Sequence, residues 1–253
     1  MTTVKPKKYL GQHFLLDHNI ARKIAVSLKL TECVLEIGPG KGMLTQYLLQ
    51  HPNIQLKVIE IDPESVRYLR ENIPAIKTNI IEGDFLKYDL DALFSEPYTI
   101  AGNFPYNISS QILFRVVEQR DKVSEVVCML QKEVAERITA PPGSKTYGIL
   151  SVFIQTWFST EYLFTVPETV FMPRPKVKSA VIRLTRNKTM LLDCDENLFI
   201  RLVRTAFNQR RKTLRNALAE ITRERKITEF PMMGKRAEQL SHGDFISLTR
   251  FFS

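Results

Sequence analysis

The chain has 253 residues, 44% of them hydrophobic and 25% charged, with a formal net charge of +9. That length allows one sizeable domain with a real core plus a small one, and the composition is that of a soluble globular protein. The positive charge favours a polyanionic partner, and without a long apolar span nucleic acid is preferred over membrane. Cys33, Cys128 and Cys194 lie far apart with no CxxC spacing, so no zinc or other metal site and no disulfide framework are expected. Cys33 and Cys128 stand in apolar runs and read as core residues. The N-terminal stretch MTTVKPKKYL is basic but lacks the apolar centre of a secretory signal, so a reducing cytoplasm is the expected setting.

Residues 1–10 carry Lys5, Lys7 and Lys8 and little that could pack. They read as a mobile basic arm able to touch phosphates, or as a solvated tail. Gly11-Gln12-His13-Phe14-Leu15 suggests a segment laid across a pocket, and Asp17 can cap a helix over 19–28. A short strand is predicted over 33–37, running into Gly38-Pro39-Gly40-Lys41-Gly42 and a helix over 43–50. Strand, glycine turn and helix form the layout in which backbone N–H groups and a close main chain can meet a nucleotide-like ligand. The spacing is GxGxG, neither the dinucleotide fingerprint GxGxxG nor a phosphate-binding GxxxxGK[ST].

A second strand is predicted over 56–61, ending in Glu60-Ile61-Asp62. An acidic side chain about 20 residues past the glycines can accept both hydroxyls of a ribose, and Glu60 is the candidate. Asp62 and Pro63 read as the cap and first residue of a helix. A third strand, about 76–82, ends at Gly83-Asp84-Phe85. There a carboxylate followed by an aromatic can read an adenine, or can simply make a strand-end turn. At the fourth strand, over 98–101, comes Asn103-Phe104-Pro105-Tyr106, followed by a helix over 109–118. Side chains at one edge of a sheet converge, and ligands bind at that edge. The joint pattern is therefore more specific than any member of it.

The fourth strand end has the composition of a holder for a planar base. Asn103 offers a carbonyl acceptor and an amide donor. Pro105 stiffens the loop and can aim its carbonyl outward, and Tyr106 gives a flat ring for stacking. Neither a nucleophile nor a strong base is among them, which suits a substrate nitrogen attacking an already activated group. Further strands are predicted over 124–130, 162–166 and 178–184, with helices over 131–138 and 149–158. Phe171-Met172-Pro173-Arg174-Pro175-Lys176 is a stiff basic loop with Phe171 at its edge. From Asp193 onward strand-like runs stop. Between 198 and 219 stand Arg201, Arg204, Arg210, Arg211, Lys212 and Arg215 with no acid, beside an apolar side of Leu202, Phe207, Leu214 and Leu218. This reads as a small helical domain with a phosphate footprint, the alternative being a solvated helix face.

Taken together, the motifs resemble the RsmA/KsgA ribosomal RNA adenine dimethyltransferases nearly end to end. The resemblance rests on GQHFLLD at 11–17, VLEIGPGKGMLT at 34–45, VIEID at 58–62, EGDF at 82–85, GNFPYNIS at 102–109, LQKEVAERI at 130–138, SKTYGILSV at 144–152 and FMPRPKVKSAVIRL at 171–184. The wider family includes erythromycin-resistance methyltransferases and mitochondrial transcription-factor relatives. The resemblance implies an α/β fold, a Rossmann-like seven-stranded methyltransferase sheet over 1–190, and a small all-α RNA-contacting domain over 191–253. It implies S-adenosyl-L-methionine as cofactor and N6,N6-dimethylation of two adjacent adenines near the 3′ end of 16S rRNA in the small ribosomal subunit. The sequence does not reveal the oligomeric state, and a monomer is the default expectation.

By the same resemblance, His13 and Leu15 border the methionine part of the cofactor, and Gly38 and Gly40 pass beside it. Glu60 with Ile61 takes the ribose, Asp84 with Phe85 the cofactor adenine, and Asn103 lies between cofactor and target. His13 stands where many bacterial members carry Asn. In the mechanism expected from these residues, the Asn103 and Pro105 carbonyls accept the two N–H bonds of the target amine while Tyr106 and Phe171 stack on its base. Lys7, Lys8, Arg174, Lys176, Arg204, Arg210, Arg211, Lys212 and Arg215 are the expected RNA contacts. Two competing readings stay open: a large-subunit rRNA enzyme conferring macrolide resistance, and a non-catalytic RNA-binding assembly factor.

Overall fold

The computed structural model describes residues 4–29, 32–189 and 191–253. Chain order gives strand β1 (Phe14–Leu15), helix α1 (His18–Ala25), β2 (Cys33–Ile37), α2 (Thr45–Leu48), β3 (Gln55–Glu60), α3 (Pro63–Asn72), β4 (Ile80–Glu82), β5 (Tyr98–Asn103), α4 (Ser109–Glu118) and β6 (Val123–Gln131). Then follow α5 (Lys132–Thr139), α6 (Ile149–Trp157), β7 (Phe158–Val166), β8 (Phe171–Met172), β9 (Ser179–Arg186), α7 (Glu196–Asn208), α8 (Leu214–Ala217), α9 (Ala219–Glu224) and α10 (His242–Phe252).

Seven strands form one sheet in the order β4-β3-β2-β5-β6-β9-β7. The pairs β3–β4, β2–β3, β2–β5 and β5–β6 are parallel, and β9 runs antiparallel to β6. This is the expected Rossmann-like sheet. The winding reverses between β2 and β5, and in open α/β sheets that reversal leaves a crevice beyond the carboxyl ends of the two strands. The central strands are buried on both faces: Val34, Leu35, Val58, Ile100, Ala101, Val126, Val127 and Cys128 have no measurable exposure. That explains why they read as continuous apolar runs instead of alternating ones.

Local chemistry sets several boundaries. The Asp17 carboxylate accepts from the backbone N–H groups of Asn19 and Ile20 (2.8 and 3.0 Å), which starts α1 at His18. Asp62 accepts from the Glu64 N–H at 3.2 Å, with Pro63 in the first turn of α3. Other boundaries differ from expectation. The helix foreseen over 43–50 is a single turn, because the glycine turn runs on until Leu44. The strand foreseen from 76 begins only at Ile80, after a 3-10 turn at Pro74–Ile76. β5 extends two residues further than expected and ends on Asn103 itself.

The expected division at 190/191 is not the one the packing draws. One compact unit runs to Ala135 and resumes at Thr160–Arg186; the other joins Glu136–Ser159 to Asn187–Ser253. The reason lies in α6. Its Phe153 and Trp157 rings meet Phe199 of α7 edge-on at 6.0 and 6.1 Å, and Tyr147 just before it meets Phe207 at 6.3 Å. The change in composition at Asp193 marks where strands stop, and cannot show which earlier helix packs with the later ones.

Gly42 shows how tightly the glycine turn is built. Its φ is +75°, and a Cβ there would lie 2.2 Å from Cδ1 of Ile73 and 3.0 Å from Cδ2 of Leu69, both on the far side of the turn. Gly42→Ala should therefore destabilise the protein by about 1–3 kcal/mol, from left-handed strain plus overpacking, as a lowered urea midpoint. An unchanged midpoint would contradict this account of the turn.

Candidate active site

The crevice at the sheet reversal is a cleft lined by the turn after β2, the ends of β3 and β5, the Gly83–Leu86 loop and the segment 9–15. The glycine turn leaves β2 with the Gly38 N–H donating to the Ile59 carbonyl at 3.0 Å. Gly38 and Gly40 sit at φ +65° and +56°. A Cβ on Gly40 would come within 2.8 Å of the Phe14 ring, so only glycine lets the turn pass under the segment above it.

Glu60, 4% exposed, is the carboxylate around which the cleft floor is wired. Its Oε2 accepts from the Gly40 N–H at 3.0 Å and its Oε1 from the Asp62 N–H at 2.9 Å. Burial raises its pKa, against the pull of these N–H groups. Each oxygen keeps a lone pair for a ligand hydroxyl. Asp84 makes the strand-end turn, its Oδ1 accepting from the Leu86 N–H at 3.0 Å, and also lines the cleft. Buried Phe85 and half-exposed Ile61 line it too.

Sequence reasoning missed Glu36. It is 1% exposed, lines the cleft, and its Oε2 accepts from the Thr45 hydroxyl at 2.6 Å. Burial, with Glu60 adding to it, pushes its pKa up to about 8. The signal was present: an acid inside an otherwise apolar strand, two residues before the glycine turn, is costly to bury and needs a polar partner.

The N-terminal segment is not a mobile arm over its described residues. Val4 is buried. The Lys7 ammonium donates to Asp62 Oδ1 and lies 3.4 Å from Glu64, and the Lys7 backbone N–H donates to Gln12 Oε1 at 2.8 Å. Lys7, expected at RNA phosphates, is therefore committed inside the protein, while Lys8 is exposed. The arm reading failed because the partner of Lys7, Asp62, lies 55 positions away in sequence.

Phe14 and Leu15 of β1 pair with Met172 and Phe171 of β8. This pairing places Phe171, 2% exposed, in the apolar core beside Leu15. Its ring has no face to offer a target base, contrary to expectation: its partner strand, distant in sequence, turned it inward.

The strand tip itself is held from above by this segment. Asn103 Nδ2 donates to the His13 carbonyl at 2.9 Å, so the amide presents Oδ1 as the end without a partner among the described residues. The His13 ring stacks on Tyr106, with centroids 5.1 Å apart and planes 28° from parallel, and its Nδ1 lies 2.6 Å from the Pro173 carbonyl. The Tyr106 hydroxyl bonds to the Ser179 hydroxyl, which fixes the ring at the rim, and burial raises its pKa. The Pro105 carbonyl accepts from the Ile108 N–H at 3.2 Å and retains one lone pair. His13, Leu15, Gly38, Gly40, Glu60, Ile61, Asp84, Phe85, Asn103, Pro105 and Tyr106 thus share one cleft; Phe171 and the basic candidates do not line it.

Of those basic residues, Lys176, Arg204, Arg211, Lys212 and Arg215 are exposed. Arg174 is exposed but pairs with Glu168 at 2.5 Å. Arg210 is half-buried, donating to the Lys145 carbonyl at 2.6 Å and lying 3.7 Å from Glu238. Arg201 pairs with Glu224.

The Glu36 shift has a thermodynamic consequence. Its folded pKa of about 8 lies above the ordinary 4.5. The stability it contributes is therefore fully present below pH 4.5 and is lost as pH rises through about 8. Wild type should lose stability over that window relative to Glu36→Gln, and the gap should level off above it. Chemical unfolding at a series of pH values checks this; parallel curves would contradict it.

A family model described as ribosomal RNA adenine dimethylase matches residues 3–253. Ribosomal RNA small subunit methyltransferase A of Phocaeicola vulgatus is 56% identical over 253 residues, which covers 98% of this chain and 90% of the relative. The protein of the same name from Cytophaga hutchinsonii is 53% identical, covering 100% and 99%. Among solved structures, a dimethyladenosine transferase from Plasmodium falciparum superposes with a TM-score of 0.79 at 26% identity, covering 95% of this chain and 97% of that one. The 23S rRNA methyltransferase ErmE superposes at 0.66, also at 26% identity, covering 94% and 99%. With the full-length family match, the cleft geometry and these relatives in agreement, the chain belongs to the ribosomal RNA adenine dimethylase family.

Proposed function

We propose that the protein converts two adjacent adenines near the 3′ end of 16S rRNA, in the small ribosomal subunit, to N6,N6-dimethyladenine with S-adenosyl-L-methionine as methyl donor. The observation that carries the chemistry is the orientation of Asn103, whose amide nitrogen is occupied by the His13 carbonyl and whose oxygen is left to accept.

The cleft suits that cofactor by its donor set. Glu60 offers acceptor lone pairs to ribose hydroxyls, Asp84 offers a carboxylate oxygen to an adenine amine, and Ile61 and Phe85 supply apolar surface beside it. Gly38 leaves open room, with nothing nearer to a Cβ there than the Pro105 ring at 4.0 Å. When bound, the cofactor supplies an electrophilic methyl on a positively charged sulfur. Everything else is work for the chain.

The exocyclic nitrogen of adenine is a poor nucleophile because its lone pair is delocalised into the ring. Asn103 Oδ1 and the remaining lone pair of the Pro105 carbonyl accept its two N–H bonds. This draws the nitrogen toward tetrahedral geometry and aims its lone pair into the cleft. Tyr106, stacked with His13, borders the base with its ring. The gain is positioning and electrostatics, with no general base. The proton shed by the alkylated nitrogen leaves to water past Asn103 Oδ1. After one transfer a single N–H remains, so the second transfer requires the base to turn or rebind. Exposed Lys8, Lys176, Arg204, Arg211, Lys212 and Arg215 serve the RNA phosphates. On this reading the protein acts in the cytoplasm as a monomer.

The match to ErmE keeps a large-subunit target as the competing reading, and relatives at 53–56% identity named for the small subunit weigh against it. Incubation of unmethylated small and large subunits with labelled S-adenosyl-L-methionine, followed by nucleoside analysis and primer extension, separates the two. Label should enter the small subunit as N6,N6-dimethyladenosine at adjacent positions. Incorporation into the large subunit alone, or none, would overturn the proposal. In the same assay Asn103→Ala should lower turnover by roughly two to three orders of magnitude while cofactor affinity changes little. Near-normal turnover would remove Asn103 from its role.

A further inference from the structure

We infer that Lys7 is a positioning residue for the cofactor cleft: with Gln12 it latches the segment 7–12 onto Asp62, and the latch holds both the cleft wall and Glu60 in place. The inference rests on the reading that this cleft takes S-adenosyl-L-methionine.

Asp62 does more than a helix cap requires. Capping α3 uses one contact, from the Glu64 N–H to Oδ1. The same fully buried carboxylate also accepts from the Lys7 ammonium, from Gln12 Nε2 at 3.3 Å and from the Ser65 hydroxyl at 3.0 Å. Its backbone N–H donates at 2.9 Å to Glu60 Oε1, the carboxylate assigned to the ribose. A single residue therefore joins the start of α3, the ribose carboxylate and the N-terminal segment.

That segment forms one wall of the cleft through Tyr9, Leu10, Gly11 and Gln12. It is pinned on one side by β1 pairing with β8 and by Asn107 Nδ2 donating to the Tyr9 carbonyl at 3.3 Å. The other pin is Lys7, reinforced by its own N–H donating to Gln12 Oε1 at 2.8 Å. Charge makes this pin directional. Asp62 and Glu60 are both buried acids two residues apart, and without the ammonium the Asp62 carboxylate would face Glu60 uncompensated. The pKa directions agree with the pairing: the bond to Asp62 raises that of Lys7, and burial, which would raise that of Asp62, is outweighed by Lys7, Gln12, Ser65 and the Glu64 N–H, which lower it. A merely stabilising ion pair has no reason to share its acid with a ligand-facing carboxylate and a cleft-lining glutamine at once.

The test is calorimetric titration of S-adenosylhomocysteine into the full-length wild type, Lys7→Met, Lys7→Arg and Gln12→Leu, with binding of a 16S rRNA fragment measured alongside. Lys7→Met should weaken S-adenosylhomocysteine about tenfold, the equivalent of about 1.4 kcal/mol. Lys7→Arg should hold affinity within about threefold because it keeps charge and donors. Gln12→Leu, which removes the Nε2 bond to Asp62 and the Oε1 acceptor of the Lys7 N–H without stranding a buried charge, should weaken binding in the same direction by about threefold. It keeps the test decisive if Lys7→Met fails to fold. RNA affinity should be unchanged in all three. Unchanged S-adenosylhomocysteine affinity in Lys7→Met and Gln12→Leu would overturn the latch. A loss of RNA affinity alone would do so too, and would make Lys7 a phosphate contact. Absence of binding by the wild type would instead sink the cofactor reading on which the latch stands.

Discussion

One hydrogen bond, from the Asn103 amide to the His13 carbonyl at 2.9 Å, decides what the strand tip can recognise. An asparagine side chain has a donor end and an acceptor end of nearly equal shape. Facing the N–H bonds of an adenine amine, the acceptor end attracts and the donor end repels. By occupying Nδ2, the N-terminal segment selects the attracting end before any ligand arrives. That is preorganisation in the sense that matters for rate: the dipole is aimed at no cost at the moment of reaction. The rest of the segment keeps that carbonyl in place, through the His13 ring on Tyr106, the Phe14–Leu15 strand pairing, and Lys7 on Asp62.

Below that tip the cleft is acidic and closely wired. Glu60 is held by two backbone N–H groups, one from the glycine turn and one from Asp62, so the position of this carboxylate depends on both neighbouring loops. Glu36, with a pKa near 8, is largely protonated at neutral pH, which lets a buried acid sit near Glu60 without like-charge repulsion. A pocket floored by carboxyl groups and roofed by backbone favours a cationic, hydroxyl-bearing ligand over a polyphosphate. The exposed Lys8, Lys176, Arg204, Arg211, Lys212 and Arg215 do not line the cleft, so on the proposed function ligand chemistry and RNA capture belong to different surfaces.

Much of this was legible in the residues. Strands that are buried on both faces announce themselves as apolar runs, and the candidate side chains were picked at the end of each run, where the chain has to turn. Glu60, Asp84 and Asn103, picked on that ground, line one cleft. What stayed hidden depended on contacts between residues far apart in the chain. Phe171 looked like an edge aromatic until its pairing with Leu15 turned it into the core. Lys7 looked like part of a solvated arm until Asp62 appeared beneath it. The helix α6 reads like any other crossover, yet its aromatic face packs on α7. Glu36 is the exception, since a charge inside an apolar strand can be seen in sequence and was passed over.

The most direct measurement is an experimental structure of the protein with S-adenosylhomocysteine and an adenosine mimic of the target. The account predicts the target N6 within about 3 Å of Asn103 Oδ1, with Nδ2 still on the His13 carbonyl. An amide turned over to donate toward the base, or an N6 held by another group altogether, would contradict it.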